Sequence, residues 1–210
     1  MAFSRRTLAF GGLVAALVLA APLAASADDN TATELKAGGY VILLRHGPTS
    51  PAPADTERNL SDDGKAMAKT FGAALRAIGA PVGKVYTSLL NRAYETATLA
   101  GFTDIEKTLD LTESSAAMGK PAEIEAGRTV TVDEKTRRAD ALRKLLGTVP
   151  KPGTDVVIVT HKPNIIDALG ADWTDVKEGE ASIFRPGANG SYRLVARVQM
   201  DEWPRLAAAK

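Results

Sequence analysis

The chain has 210 residues, long enough for one domain with its own core. Its 26 Lys+Arg against 25 Asp+Glu leave a formal net charge of +1, which argues against a nucleic-acid surface, and its 45% hydrophobic content argues against an acidic disordered tail. Cysteine is absent, which excludes disulfides, thiolate metal sites and cysteine nucleophiles, and the two histidines, His46 and His161, are too few for a histidine-rich metal centre.

In chain order, residues 1–27 come first. They carry Arg5 and Arg6, no acid, an apolar run from Leu8 to Leu23 broken only by Pro22, and then Ala25-Ser26-Ala27 ahead of Asp28-Asp29. A basic start, a short apolar stretch and a small-x-small site make a secretory signal peptide. The run is shorter than the ~20 apolar residues of a spanning helix, so no stable membrane anchor is expected after cleavage. Ser4-Arg5-Arg6-Thr7-Leu8 resembles a twin-arginine export signal. The expected location is therefore periplasmic or secreted. Loss of Arg5 and Arg6 turns the net charge of the mature chain to −1.

Residues 28–39 read as a polar lead-in, 40–200 as the folded domain and 201–210 as a tail. Tyr40 to Leu44 is a continuous apolar run, as expected of a strand buried on both faces, and it ends in Arg45-His46-Gly47-Pro48. Residues 48–59 hold three prolines and form a loop. Ser61 caps a helix that has Asp62 and Asp63 in its first turn and Phe71, Ala74, Leu75 and Ile78 on one face. A short strand over Lys84–Thr87, a helix over Asn91–Ala100 and a strand over Thr108–Leu111 follow. Thr131-Val132-Asp133-Glu134 is a capping box for a third helix that Gly147 closes. Asp155 to Thr160 is the second strong apolar strand, and it leads directly into His161. Pro163 suits the first turn of the next helix. Ala181–Arg185 and Tyr192–Val198 flank a Pro/Gly/Asn turn as a strand pair. Strands alternating with helices imply a parallel-rich sheet covered on both faces, with its site outside the carboxyl ends of the strands. Both histidines fall there.

Three segments carry the chemistry. In Arg45-His46-Gly47 the arginine offers a planar fork for phosphate oxygens, and the glycine lets the backbone turn beside an imidazole that can accept a phosphoryl group. A strand-end histidine taken alone is as readily structural. Arg92, at the start of a helix, is electrostatically awkward there unless it is a surface ion pair or faces an anion beside that helix terminus. His161 repeats the strand–histidine–turn plan.

Together, Arg45-His46-Gly47, Ser88-x-x-x-Arg92-Ala93-x-x-Thr96-Ala97 and the late His161 resemble the signature segments of the histidine phosphatase superfamily, in the family's order. Asn59-Leu60-Ser61-x-x-Gly64 and Gly179-Glu180-Ala181 are similar to it as well, so the resemblance covers most of residues 40–200. It implies a phosphoglycerate-mutase-like α/β fold, a three-layer α/β/α sandwich with a mostly parallel central sheet. It implies His46 as nucleophile, with Arg45, Arg92 and His161 completing a cationic pocket, and neither a metal nor any other cofactor. Nearby arginines disfavour the imidazolium and so help His46 to attack. The resemblance further implies Glu113 as general acid, with Asp110 as the fallback, and Arg58 and Thr49 as substrate-binding residues. Thr49 and Lys162 stand where the acid-phosphatase branch has arginine and aspartate, which favours the mutase-like branch, branch 1. Leu89 stands where proline is common.

The expected activity is metal-independent hydrolysis of a small-molecule or envelope-sugar phosphomonoester, with specificity in loops 48–59 and 112–130. A phosphotransferase or mutase using the same pocket, and a non-catalytic phosphate-binding protein, are the alternatives.

Overall fold

A computed structural model describes residues 29–53, 57–113 and 131–209. Six strands form one sheet: β1 (Val41–Arg45), β2 (Val82–Ser88), β3 (Ile105–Thr108), β4 (Asp155–Thr160), β5 (Ala181–Pro186) and β6 (Tyr192–Val198), in the order β3-β2-β4-β1-β5-β6. The pairs β3–β2, β2–β4 and β4–β1 are parallel, while β5 runs antiparallel to both β1 and β6. The two strongest apolar runs, β1 and β4, lie at the centre.

Val41–Leu44 of β1 and Val156–Val159 of β4 are continuously apolar because both faces are covered. Ile42, Leu44, Val157 and Val159 face one layer, built from α1 (Asp29–Ala37), α2 (Asp62–Ile78), α3 (Asn91–Leu99) and α6 (Trp203–Ala208). Val41, Leu43 and Ile158 face the other, built from α4 (Val132–Leu146) and α5 (Lys162–Leu169). The alternation follows from the two-residue period of a strand. The architecture is the expected α/β/α sandwich.

Local chemistry sets the helix ends. Ser61 Oγ accepts from Gly64 N at 3.1 Å to start α2, and Gly79 closes it in the left-handed region at φ 80°. Thr131 Oγ1 accepts from Glu134 N at 3.2 Å at the start of α4, while the Glu134 carboxylate takes Arg138 Nη2 at 2.5 Å. Gly64 has no side chain for a steric reason: a Cβ there would lie 2.2 Å from the Pro48 carbonyl oxygen. The start of α2 can therefore press against the loop that follows His46.

Three elements differ from expectation. The strand expected over Thr108–Leu111 ends at Thr108, because Thr108 Oγ1 accepts from Asp110 N at 3.2 Å and turns Leu109–Leu111 into a single 3₁₀ turn. The lead-in contains a helix, α1, because Ala32 and Leu35 are spaced to share one buried face. The tail forms α6, and Trp203 and Leu206 are wholly buried in the core. The signal-peptide reading, residues 54–56 of the first loop expected to carry specificity and 114–130 of the second lie outside the described residues.

Candidate active site

Strand register assembles the site. Arg45 pairs with Thr160, and Thr87 with Val159, so the residues that follow, His46, His161 and Ser88, leave three adjacent strands at one level. The two imidazoles meet with ring centroids 5.0 Å apart at 63°. The Leu111–Glu113 segment is pinned over these strand ends. Thr160 Oγ1 donates to Leu111 O at 2.7 Å and Asn164 Nδ2 to Thr112 O at 2.9 Å, while Leu89 N donates to Thr112 Oγ1 at 3.2 Å. Glu113 Oε1 then lies 3.2 Å from His161 Nδ1 and 3.3 Å from Arg92 Nη2. The Arg92 contact is ionic; the His161 contact is a close polar one, and neither is well aligned as a hydrogen bond.

Hydrogen bonding assigns the ring protons. His46 Nδ1 lies 2.7 Å from the Gly47 carbonyl oxygen, which can only accept, so Nδ1 carries the proton and Nε2 keeps its lone pair. Burial holds the His46 pKa well below the ordinary imidazole value, and the neighbouring His161 and the Arg92 charge push in the same direction. His161 is also lowered, chiefly by burial, against the pull of Glu113. Its Nε2 lies 2.7 Å from Ser88 Oγ. With Glu113 an ionised acceptor beside Nδ1, the consistent arrangement has Ser88 donating to Nε2 and His161 presenting an Nδ1–H. Burial pushes the Glu113 carboxyl up, but His161, Arg92 and His46 outweigh it and hold the pKa at about 2.

Arg92 is 1% exposed, which rules out the surface ion-pair reading. Arg45 Nε and Arg92 Nε are buried and lack hydrogen-bond partners among the described residues, while Arg92 Nη2 has the Glu113 contact. Orphaned guanidinium donors beside two neutral imidazoles suit an anion with several oxygens. Ligand atoms of His46, Glu113 and His161 also lie within 4.8 Å of one another, a donor set that divalent cations use. Here Arg92 already shares the carboxylate, so the charge of the pocket favours an anion.

A family model of the histidine phosphatase superfamily (branch 1) matches residues 41–204. The chain belongs to that family. Among solved structures similar to this histidine phosphatase is the protein histidine phosphatase SixA complexed with tungstate, at 16% identity and TM-score 0.57, covering 78% of this chain and 98% of that one. Another is the phosphoserine phosphatase mutant H9A of Entamoeba histolytica in complex with phosphoserine, at 16% identity and TM-score 0.51, covering 77% and 97%. A third is the mycobacterial glucosyl-3-phosphoglycerate phosphatase Rv2419c, at 21% identity and TM-score 0.53, covering 76% and 98%. At these identities the likeness shows the fold, and family membership supports a phosphatase. A search of curated protein sequences gives no significant match.

The remaining sequence-derived residues are distributed unevenly. Arg58 is half-buried and close enough for its charge to bear on Arg45, Arg92 and His161. Thr49 bridges Leu60 through the backbone and so closes the loop. Asp110, the fallback acid, pairs with Arg137 on α4. Three contributors of the histidine phosphatase site had no assigned role in the sequence: the Gly47 carbonyl, the Ser88 hydroxyl, and the Val176–Glu178 turn that grips Arg45. Ser88 stands in the quoted motif, so its spacing was a usable signal. The other two act through backbone or through a distant turn, which spacing does not reveal.

Proposed function

We propose that this histidine phosphatase hydrolyses phosphomonoesters through a phosphohistidine on His46, without a metal, and that it works after export, in the periplasm or outside the cell. The observation that carries the chemistry is the His46 Nδ1–Gly47 O bond of 2.7 Å, which leaves Nε2 as the attacking nitrogen of a neutral ring. The Nε2 lone pair forms the N–P bond while the ester P–O bond breaks, and the leaving oxygen takes the electron pair and the proton that Glu113 holds once the bound phosphoryl group has raised its pKa; Glu113 regains a proton from the attacking water in the second step. Water then attacks phosphorus, the N–P bond breaks, and its electrons return to Nε2 as phosphate leaves. Arg45, Arg92 and His161 Nδ1–H stabilise the charge on the non-bridging oxygens in both steps.

Glu113 enters this scheme with a condition. In the free protein it is ionised, with a pKa of about 2, and so holds no proton to give. A phosphoryl dianion that binds Arg92 and His161 competes for the charges that hold Glu113 down, and raises its pKa as it arrives. The carboxylate form is the one that can take a proton from the attacking water in the second step. Export rests on the sequence of residues 1–27 alone.

The test is hydrolysis of a chromogenic phosphomonoester by the purified chain, with and without a chelator. Turnover should survive chelation and fall about a thousandfold or more in His46→Ala. Turnover that needs a metal, or that persists in His46→Ala, contradicts the mechanism. Orthovanadate binding with no turnover on a broad panel of phosphomonoesters would favour the phosphate-binding alternative.

A further inference from the structure

The catalytic arginine is aimed by a turn far along the chain. Arg45 Nη1 donates to Val176 O at 2.8 Å, and Nη2 donates to Glu178 Oε1 at 3.2 Å. The same turn grips the backbone on either side of His46: Gly179 N donates to Arg45 O at 3.1 Å and to His46 O at 3.2 Å, and Arg45 N donates to Glu180 O at 3.1 Å. One N–H of each outer nitrogen of the Arg45 fork is thus taken by the turn, which leaves the second N–H of each and the buried Nε, unpartnered among the described residues, for an anion.

That turn is itself locked by one carboxylate. Glu180 is 1% exposed. Its Oε2 accepts from Lys177 N at 3.1 Å and from Gln199 Nε2 at 2.7 Å, and its Oε1 accepts from Arg197 Nε at 2.5 Å. Arg197 reaches from β6 to Asp175 as well, at 3.0 and 3.2 Å, and stacks 5.1 Å from the Trp173 ring. Residues 175 and 180 are therefore tied to the same guanidinium from both ends of the turn. Replacing a largely buried ion pair by apolar groups is often neutral or stabilising, so this pair is weak evidence for a role in fold stability alone.

We infer that Glu180 and Arg197 are positioning residues for phosphate recognition, acting through the Val176–Glu178 turn on the orientation of Arg45. Neither touches the phosphoryl group. The inference rests on the phosphatase reading of the pocket, and its experiment separates the two.

The experiment is calorimetric binding of orthovanadate to the full chain, in wild type, Glu180→Gln, Arg45→Ala and the double variant. Glu180→Gln keeps the side-chain volume but puts an amide where Arg197 finds a charged acceptor. It should weaken orthovanadate binding about tenfold, the scale of one misaimed charge-assisted contact. In the Arg45→Ala background it should weaken binding no further, because the arginine through which it acts is gone. Glu178→Ala, at a half-exposed position that threatens folding little, should also weaken binding, and should serve if Glu180→Gln does not fold. Equal losses from Glu180→Gln with and without Arg45 mean a merely structural role and overturn the inference. Unchanged binding in Glu180→Gln or Glu178→Ala, with wild type binding normally, overturns it while leaving the phosphatase reading intact. A wild type that does not bind orthovanadate overturns both.

Discussion

An imidazole attacks phosphorus only through an unprotonated nitrogen, and a histidine among cationic side chains meets that condition without a dedicated base. Burial, His161 and Arg92 all hold His46 neutral, and the Gly47 carbonyl decides which nitrogen is free. The acid limb of kcat/KM should therefore fall below the ordinary imidazole pKa of about 6.5, once the ionisation of the substrate is allowed for. A limb at or above that value in the pH profile contradicts a neutral resting His46. The sequence made His46, His161 and Arg92 legible, because a strand end and a helix start each aim a side chain in a predictable direction. Glu113 was legible as a residue but its state was not. Its low pKa depends on contacts with Arg92 and His161 that cross from one strand connection to another.

Elements bring these residues together at a few tight backbone approaches. Gly64, Pro48 and Ser61 seat the start of α2 on the loop that follows His46: Ser61 N donates to Pro48 O at 3.0 Å, and a Cβ on Gly64 would lie 2.2 Å from that same oxygen. Gly64→Ala should cost about 1–3 kcal/mol of stability, the usual price of an overpacked contact, and should lower turnover by displacing the residues after His46. Thermal unfolding and kcat measured together check this; an alanine variant with unchanged values would show that the loop yields freely. Helix caps and apolar strands were readable because they are local. The end of β3 is not legible in sequence because a Thr108 hydroxyl competes with the ladder, nor are α1 and α6, because each presents only two core residues to a distant partner.

At the scale of the molecule, the sandwich separates the candidate site from another buried acid, Asp155, at the opposite end of the sheet. Asp155 begins β4, is wholly buried, and accepts from Tyr40 N at 2.9 Å. Burial raises its pKa to about 7 against backbone hydrogen bonds that oppose it. The folded state then binds a proton that the unfolded chain releases near pH 3.8. Stability from this group is complete below about pH 4 and lost as pH rises towards 7, up to about 4 kcal/mol. Asp155→Asn should flatten that slope in denaturant midpoints taken between pH 5 and 8, and a slope equal to wild type would remove Asp155 as its cause. The alternating strands and helices announced this sandwich from sequence. The register that lines up Arg45 with Thr160, and Thr87 with Val159, became visible only once the strands were paired. The central claim is a covalent intermediate on His46, and rapid quenching of the protein with a phosphomonoester into base, followed by peptide mass spectrometry, tests it most directly. Phosphate on the His46 peptide, stable in base, lost in acid and absent from His46→Ala, is the predicted result; turnover with no phosphorylated His46, or with phosphate on another residue, would contradict the account.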